Sequence, residues 1–321
     1  MKNSNTTFGT SAYGGDGWSG REQTHAEEIG SIWASCGIDS EWATLRSVLL
    51  HRPGAELNSS AEDPGAVQML EAVDAGLARE QHDQMADTYR QHGVDVHYVE
   101  PEAPAQPNLM FCADLVFMTP EGAILARPAS TVRAGEERQV ARRLAALGIP
   151  VLATLRGNAV FEGADAMWAD PNTVVISRGL RTNEEAIEQI ATILDLGGVN
   201  TEFFDLPFGA MHFMGVLRIV DKDLGFYWPR RTPFAAVRAL EERGYRMVAL
   251  PEEASIRQNT AINIVTLGPR KILMVAGFSE FRDFYEQNGV ECITVEAIEL
   301  TKAAGAVGCL SGVLHRDRVG E

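Results

Sequence analysis

Four side chains suited to polar chemistry lie at recurrent distances from glycines in this 321-residue chain: Asp114 in MFCAD, Glu162 in VFEGAD, His212 in GAMHFMG and Cys309 in VGCLSG. Asp114 follows Gly93 by 21 residues and Cys309 follows Gly289 by 20, whereas Glu162 follows Gly148 by 14 and His212 follows Gly198 by 14. If the segments beginning at those glycines are related by rotation, similar offsets place the four groups at the same end of their units, facing a common axis. A thiol, an imidazole and two carboxylates would then converge. Taken singly, each has a plainer reading. A cysteine in the small-residue run AAGAVGCLSG packs as a small hydrophobe. A histidine flanked by Met211, Phe213 and Met214 reads as a core side chain, and the carboxylates read as loop caps. A buried carboxylate is costly unless a cation or several hydrogen bonds answer it, so a cationic ligand is a natural partner for the set.

The elements that must position these groups repeat. An amphipathic helix ends on a Gly and passes directly into a β-rich run at QHGVDVHYV (Gly93), ALGIPVLAT (Gly148), LGGVNTEFF (Gly198), ERGYRMVAL (Gly244) and QNGVECITV (Gly289), spaced by 55, 50, 46 and 45 residues. A strand candidate precedes each helix: 45–50, 123–126, 173–177, 216–220 and 271–275. The unit is therefore strand, helix, Gly, strand. Five such units cannot each bury their own apolar face, so they are expected to close on one another as one circular α/β domain over residues 41–321. An open parallel sheet is the alternative. Residues 1–40, rich in Gly, Ser, Thr and Asn, read as an irregular arm with one short helix around 24–34. Asp63 and Pro64 read as the N-cap and first position of a long helix carrying Glu80, His82 and Arg90 on its wet side.

Composition narrows the function. With 45% hydrophobic and 22% charged residues the chain is globular, and its net charge of −16 disfavours nucleic acid and anionic membranes as partners while attracting small cations. Four cysteines, at 36, 112, 292 and 309, include no C-x-x-C pair, which points away from a disulfide framework and a structural zinc site. No apolar signal segment or membrane-spanning run is evident, so a cytoplasmic protein is expected. The G-x-G-x-x-G at Gly15, Gly17 and Gly20 lacks the strand that a dinucleotide site requires, and the HRD at 315–317 lacks its downstream partners. His92 and His97 have no further ligands nearby, so no metal and no cofactor are expected.

The order of EWATLRSVLLHRPGAEL, NLMFCADLVF, ILARP, FEGAD, RTN, the His212 segment and the Cys309 segment resembles the guanidino-group-modifying enzymes, namely arginine deiminases, amidinotransferases and dimethylarginine dimethylaminohydrolases. The resemblance runs from Glu41 to Asp317 and rests on the order and spacing of the motifs. It implies a pentein, a five-fold pseudo-symmetric α/β propeller. It further implies Cys309 as nucleophile, His212 as general acid/base, Glu162 as the carboxylate orienting guanidinium and His, and Asp114 as a second guanidinium-binding carboxylate. Arg133 and Arg181 look like arginines that can hold a substrate carboxylate, with a surface ion pair as the other reading.

Where deiminases and amidinotransferases read His-x-Asp, this chain has Met214, an apolar wall that suits an N-substituted guanidinium. FEGAD replaces the family's common FEGGD, with Ala164 at the second Gly. The expected activity is therefore a cysteine-dependent hydrolase of a guanidino C–N bond acting on a small cationic arginine derivative through a thiouronium. Alternatives are an amidinotransferase with an amine acceptor and a non-catalytic ligand- or ribosome-binding pentein. Association into a homo-oligomer is compatible with all three.

Overall fold

The computed structural model describes residues 7–102, 104–251 and 260–320. After an irregular stretch containing α1 (His25–Glu28), the chain lays down β1 (Leu45–Leu50), α2 (Ala75–Gln91) and β2 (Asp95–Tyr98). Four further units each open with a hairpin. The second has β3 (Val116–Thr119), β4 (Gly122–Leu125), α3 (Glu136–Ala146) and β5 (Val151–Thr154), and the third β6 (Ala166–Asp170), β7 (Thr173–Arg178), α4 (Glu184–Leu196) and β8 (Asn200–Asp205). The fourth has β9 (Leu217–Asp221), β10 (Leu224–Tyr227), α5 (Phe234–Glu242) and β11 (Arg246–Ala249), and the fifth β12 (Val265–Gly268), β13 (Lys271–Val275), α6 (Ser279–Gln287) and β14 (Glu291–Val295). The short helices α7 (Ile298–Thr301) and α8 (Val307–Leu310) then lead into β15 (Gly312–Arg316).

Among the described residues the strands form five three-stranded sheets, ordered β15-β1-β2, β3-β4-β5, β6-β7-β8, β9-β10-β11 and β12-β13-β14. Each central strand pairs antiparallel with its hairpin partner and parallel with the strand that returns after the helix. The first unit takes its antiparallel partner from the end of the chain, with Leu49 opposite Gly312. Neighbouring sheets touch: β15 lies on β3, β1 on β12, and β12 on β9, while the turns before β3, β6 and β9 touch in succession.

Burial falls from one edge of each sheet to the other. The hairpin strands β3 and β12 are buried throughout, whereas the return strands β5 and β11 are half-exposed. The central strands, such as LRSVLL and KILMV, are the near-continuous apolar runs that strands covered on both faces require. Among the described residues no helix is long and apolar enough to cross a membrane.

The five glycines have one physical job. Gly93, Gly148, Gly198, Gly244 and Gly289 each stand two residues beyond their helix with φ between 72° and 92°, the left-handed conformation that costs a residue with a Cβ. The residue after each Gly donates its N–H back to a carbonyl five residues earlier: Val94 to Tyr89, Ile149 to Leu144, Val199 to Leu194, Tyr245 to Leu240 and Val290 to Tyr285. All five of these following side chains are buried. This is the Schellman closure, with its apolar residue after the Gly sealing the helix end.

Five expectations need correction. Residues 216–220 correspond mainly to β9, the hairpin strand, and β10 is the strand that feeds α5. The hairpin strands were not part of the expected unit at all, because two adjacent apolar strands read alike. The long helix begins at Ala75, where Asp74 caps the N–H groups of Gly76 and Leu77; Asp63 caps only a short 3-10 turn. His82 is fully buried rather than on the wet side with Glu80 and Arg90. The helix expected around 24–34 is confined to α1, started by Thr24 and Glu27 in a reciprocal capping box. The first six residues of the N-terminal segment lie outside the described residues.

Candidate active site

Five short turns, one before each of β3, β6, β9, β12 and β15, carry the polar residues of the site. Asp114 ends the 3-10 turn Cys112–Asp114, Glu162 precedes the turn Gly163–Asp165, and His212 precedes Phe213–Gly215. Asn263 lies two residues before β12, and Cys309 sits in α8. The close approach of these turns is built on glycine: a Cβ on Gly163 would collide with the carbonyls of Ala113 and Val116, and one on Gly308 with Arg218 and Asn263. Buried Asp165 fastens the Glu162 turn to the His212 turn. It accepts from Ser177 Oγ at 2.7 Å, Thr182 Oγ1 at 2.6 Å and the backbone N–H of Phe213 at 3.0 Å.

One side of the site is dense in charge. His212 Nε2 hydrogen-bonds Glu162 Oε2 at 2.7 Å, and His212 Nδ1 lies 3.9 Å from Asp114 Oδ1. Arg133 Nη1 stands 2.6 Å from Asp114 Oδ2 and 3.5 Å from Glu162 Oε2, and the same guanidinium reaches Glu136 at 2.9 Å. Arg181 Nη1 contacts the other oxygen of Glu162 at 3.2 Å, which the N–H of Ala129 also approaches at 3.3 Å. Asp114 Oδ1 is buried without a hydrogen-bond partner among the described residues. Burial alone would lower the pKa of His212, but Asp114, the bond to Glu162 and Asp165 raise it to about 9. Burial alone would raise that of Glu162, but His212, Arg133 and Arg181 hold its carboxyl well below the usual carboxylate range. Burial pushes Glu136 up to about 7 against the pull of Arg133.

Cys309 is partly exposed and is held from the opposite side. Asn263 Nδ2 donates to its Sγ at 2.9 Å, and the Cys309 N–H donates to Asn263 Oδ1 at 3.1 Å, so one amide fixes both ends of the residue. Burial and the charge of Asp114 push the Cys309 thiol above its ordinary range, while Asn263, the backbone at Ala306 and Arg218 pull it down. Arg218 is buried, with Nη2 unpartnered among the described residues and its guanidinium pushed down to about 10 by burial.

Two cavities meet at His212 and Cys309. A tight recess of about 30 Å³ is lined by Asp114, Arg133, Arg181 and Phe111. A cavity of about 600 Å³ on the other side is lined by Met214, Val216, Phe278, Ile298, Asn263 and Arg231, among others. Both cavities share Met211, His212, Ala304, Gly305 and Cys309.

The structure thus brings Asp114, Glu162, His212, Cys309, Arg181 and Met214 to one place. Arg133 is there too, yet its ion pairs are buried rather than superficial, and its guanidinium is committed to three carboxylates. Sequence reasoning missed Asn263, Asp165 and Arg218. Asn263 follows Gly244 by 19 residues, close to the offsets of Asp114 and Cys309, so the same spacing would have found it. Ligand atoms of Asp114, Glu162 and His212 lie within 4.8 Å of one another, a donor set a metal ion can use. Arg133 and His212 engage Asp114 Oδ2 and Glu162 Oε2, which leaves Asp114 Oδ1 as the carboxylate oxygen of this set without a hydrogen-bond partner among the described residues.

The chain matches the family described as N,N dimethylarginine dimethylhydrolase, eukaryotic, over residues 66–309. It is 27% identical over 247 residues to the N(G),N(G)-dimethylarginine dimethylaminohydrolase of Mycobacterium tuberculosis, spanning 76% of this chain and 78% of that protein. It superposes on a dimethylarginine dimethylaminohydrolase from Pseudomonas aeruginosa complexed with citrulline with a TM-score of 0.70 at 21% identity, covering 85% of this chain and 100% of the other. The saxitoxin-pathway amidinotransferase SxtG of Microseira wollei gives a TM-score of 0.71 at 13% identity, covering 88% and 98%. The two structures share the fold.

Proposed function

The chain belongs to the N,N dimethylarginine dimethylhydrolase family of guanidino-group-modifying enzymes and is a hydrolase of guanidino C–N bonds, and from this premise we propose that it cleaves N-substituted arginine derivatives through a covalent intermediate on Cys309. The observation that carries the reading is Asp114 Oδ1, a buried carboxylate oxygen without a hydrogen-bond partner, in a recess it shares with His212 and Cys309. An unmet buried acceptor costs about 1–3 kcal/mol, and a guanidinium N–H satisfies it.

The bound cation also cancels the Asp114 charge that holds the Cys309 thiol up, so substrate binding itself favours the thiolate. The thiol proton passes to solvent, where the released amine later takes it up, and the thiolate adds to the guanidinium carbon. His212, with Nε2 tied to Glu162, donates a proton from Nδ1 to the departing amine as the C–N bond breaks, leaving an S-alkylthiouronium. The now neutral imidazole takes a proton from water, the resulting hydroxide equivalent attacks the same carbon, and the C–S bond breaks as the added hydroxyl gives its proton to the sulfur, leaving a ureido product and the free thiol. No cofactor enters these steps. Arg181, which lines the recess, is the cation best placed for a substrate carboxylate; Arg133 reaches one only by leaving Asp114. Met214 on the cavity wall places an apolar surface where the N-substituent lies.

The same reading takes residues 41–321 as one five-fold ring of the pentein type, with residues 1–40 as an arm. The succession of contacts between neighbouring sheets and the pairing of β15 with β1 support it. The test is incubation with arginine, methylarginines, agmatine and guanidino acids, with and without added amines. Ureido product and free amine are expected, with none formed by Cys309→Ala; transfer of the amidino group to an added amine would contradict hydrolysis.

A further inference from the structure

The cavity beside His212 and Cys309 is far larger than the methylated amines of the family's name require. Its volume of about 600 Å³ is in the ordinary range of about 300–1,000 Å³ for sites that take drug-sized ligands, whereas a dimethylamino group is only two carbons on a nitrogen. Its lining includes the apolar Met214, Val216 and Phe278, where the function proposed above places the N-substituent. Among its lining residues Leu70, Met211 and Ile298 are 63%, 41% and 49% exposed, apolar side chains left bare to solvent.

The charges on the wall are unequal. Lys302 is neutralised by Glu299 at 2.8 Å, and Glu71 has an interaction of its own. Arg231 lines the cavity with no ion-pair partner among the described residues. The recess on the other side, too small at about 30 Å³ to enclose the arginine end of the substrate, presents Asp114 and Arg181 to it in the function proposed above.

Resting on that reading, we propose that the second guanidino nitrogen of the substrate carries an apolar chain ending in an anionic group, which lies in this cavity and pairs with Arg231. Hydrolysis breaks the bond from the guanidino carbon to that nitrogen. Water supplies the oxygen of the ureido product, and the chain leaves as a protonated amino acid.

The experiment compares the full chain on three arginines substituted at the terminal nitrogen: dimethyl, an uncharged butyl chain and a carboxypropyl chain. Turnover of the carboxypropyl compound about tenfold or more above the butyl compound is expected, the effect of one charge-assisted contact. That ratio is expected to fall to about one in Arg231→Gln. In Arg231→Glu, an aminopropyl chain should overtake the carboxypropyl chain, a reversal that loss of fold cannot mimic. Dimethylarginine turned over while both longer chains are refused overturns this inference alone. No turnover of any guanidine overturns the underlying function with it. A carboxylated amine accepted as an amidino acceptor, in place of water, assigns the cavity to a second substrate and also overturns it.

Discussion

The recess and the cavity that meet at Cys309 are built by opposite means. In the recess the charges form a network: Arg133 serves Asp114, Glu136 and Glu162, and Glu162 in turn holds His212 and Arg181, with Asp114 Oδ1 left unpartnered among the described residues. The cavity is walled by flexible Met and aliphatic side chains, with Arg231 as its cation lacking an ion-pair partner among the described residues. Buried ion networks hold geometry because breaking one member strands the others, whereas apolar walls accept many shapes. In the proposed function, this contrast puts the fixed chemistry on one side of Cys309 and the selection among substrates on the other.

The largest expected effect comes from breaking the charge network. Arg133→Met strands three buried carboxylates and should destabilise the fold by about 3–5 kcal/mol, whereas Leu70→Ala at the cavity mouth should stay within about 0.5 kcal/mol. Urea unfolding of both variants checks this, and equal losses would erase the distinction between the regions.

Asn263→Ala comes next. It frees both ends of Cys309 and removes a contact that lowers the thiol's pKa. A loss of kcat/KM by about 10²-fold is expected, with the pH profile of thiol alkylation at Cys309 moved upward. A loss of activity without that movement would reduce Asn263 to packing.

The smallest effect compares two buried histidines. His212, among carboxylates, has its pKa raised to about 9, so its contribution to stability is complete below its unfolded value and fades as pH rises through about 9. His82, buried with both ring nitrogens unpartnered among the described residues, is pushed down to about 3, so it costs stability as pH falls from its unfolded value toward 3. Between pH 7 and pH 5 that cost reaches about 2 kcal/mol, and His82→Leu should flatten this acid limb in urea titrations. An unchanged acid limb would mean that His82 is not held neutral.

What the sequence discloses about this molecule divides along the same line. The five helix ends are legible because a left-handed residue after a helix is a local demand that glycine meets, and the apolar residue after it completes the motif. Asp114, Glu162, His212 and Cys309 are legible because they occupy corresponding turns, so chain distance stands in for space. Asn263 occupies the remaining turn and escaped notice because an amide does not titrate. The engagement of Arg133 depends on partners 19 and 29 residues away that only tertiary packing brings together. The hairpin strands merged with their neighbours because both are buried and apolar, leaving no alternation to separate them.

The central claim, that Cys309 carries the guanidino carbon during turnover, is tested most directly by acid-quenching the enzyme in the steady state with a substrate arginine derivative and measuring intact mass with peptide mapping. An adduct of the mass of the thiouronium confined to the peptide containing Cys309, and absent in Cys309→Ser, is the predicted result. Full turnover by Cys309→Ser, or an adduct that maps to Cys36, Cys112 or Cys292 instead, would contradict it.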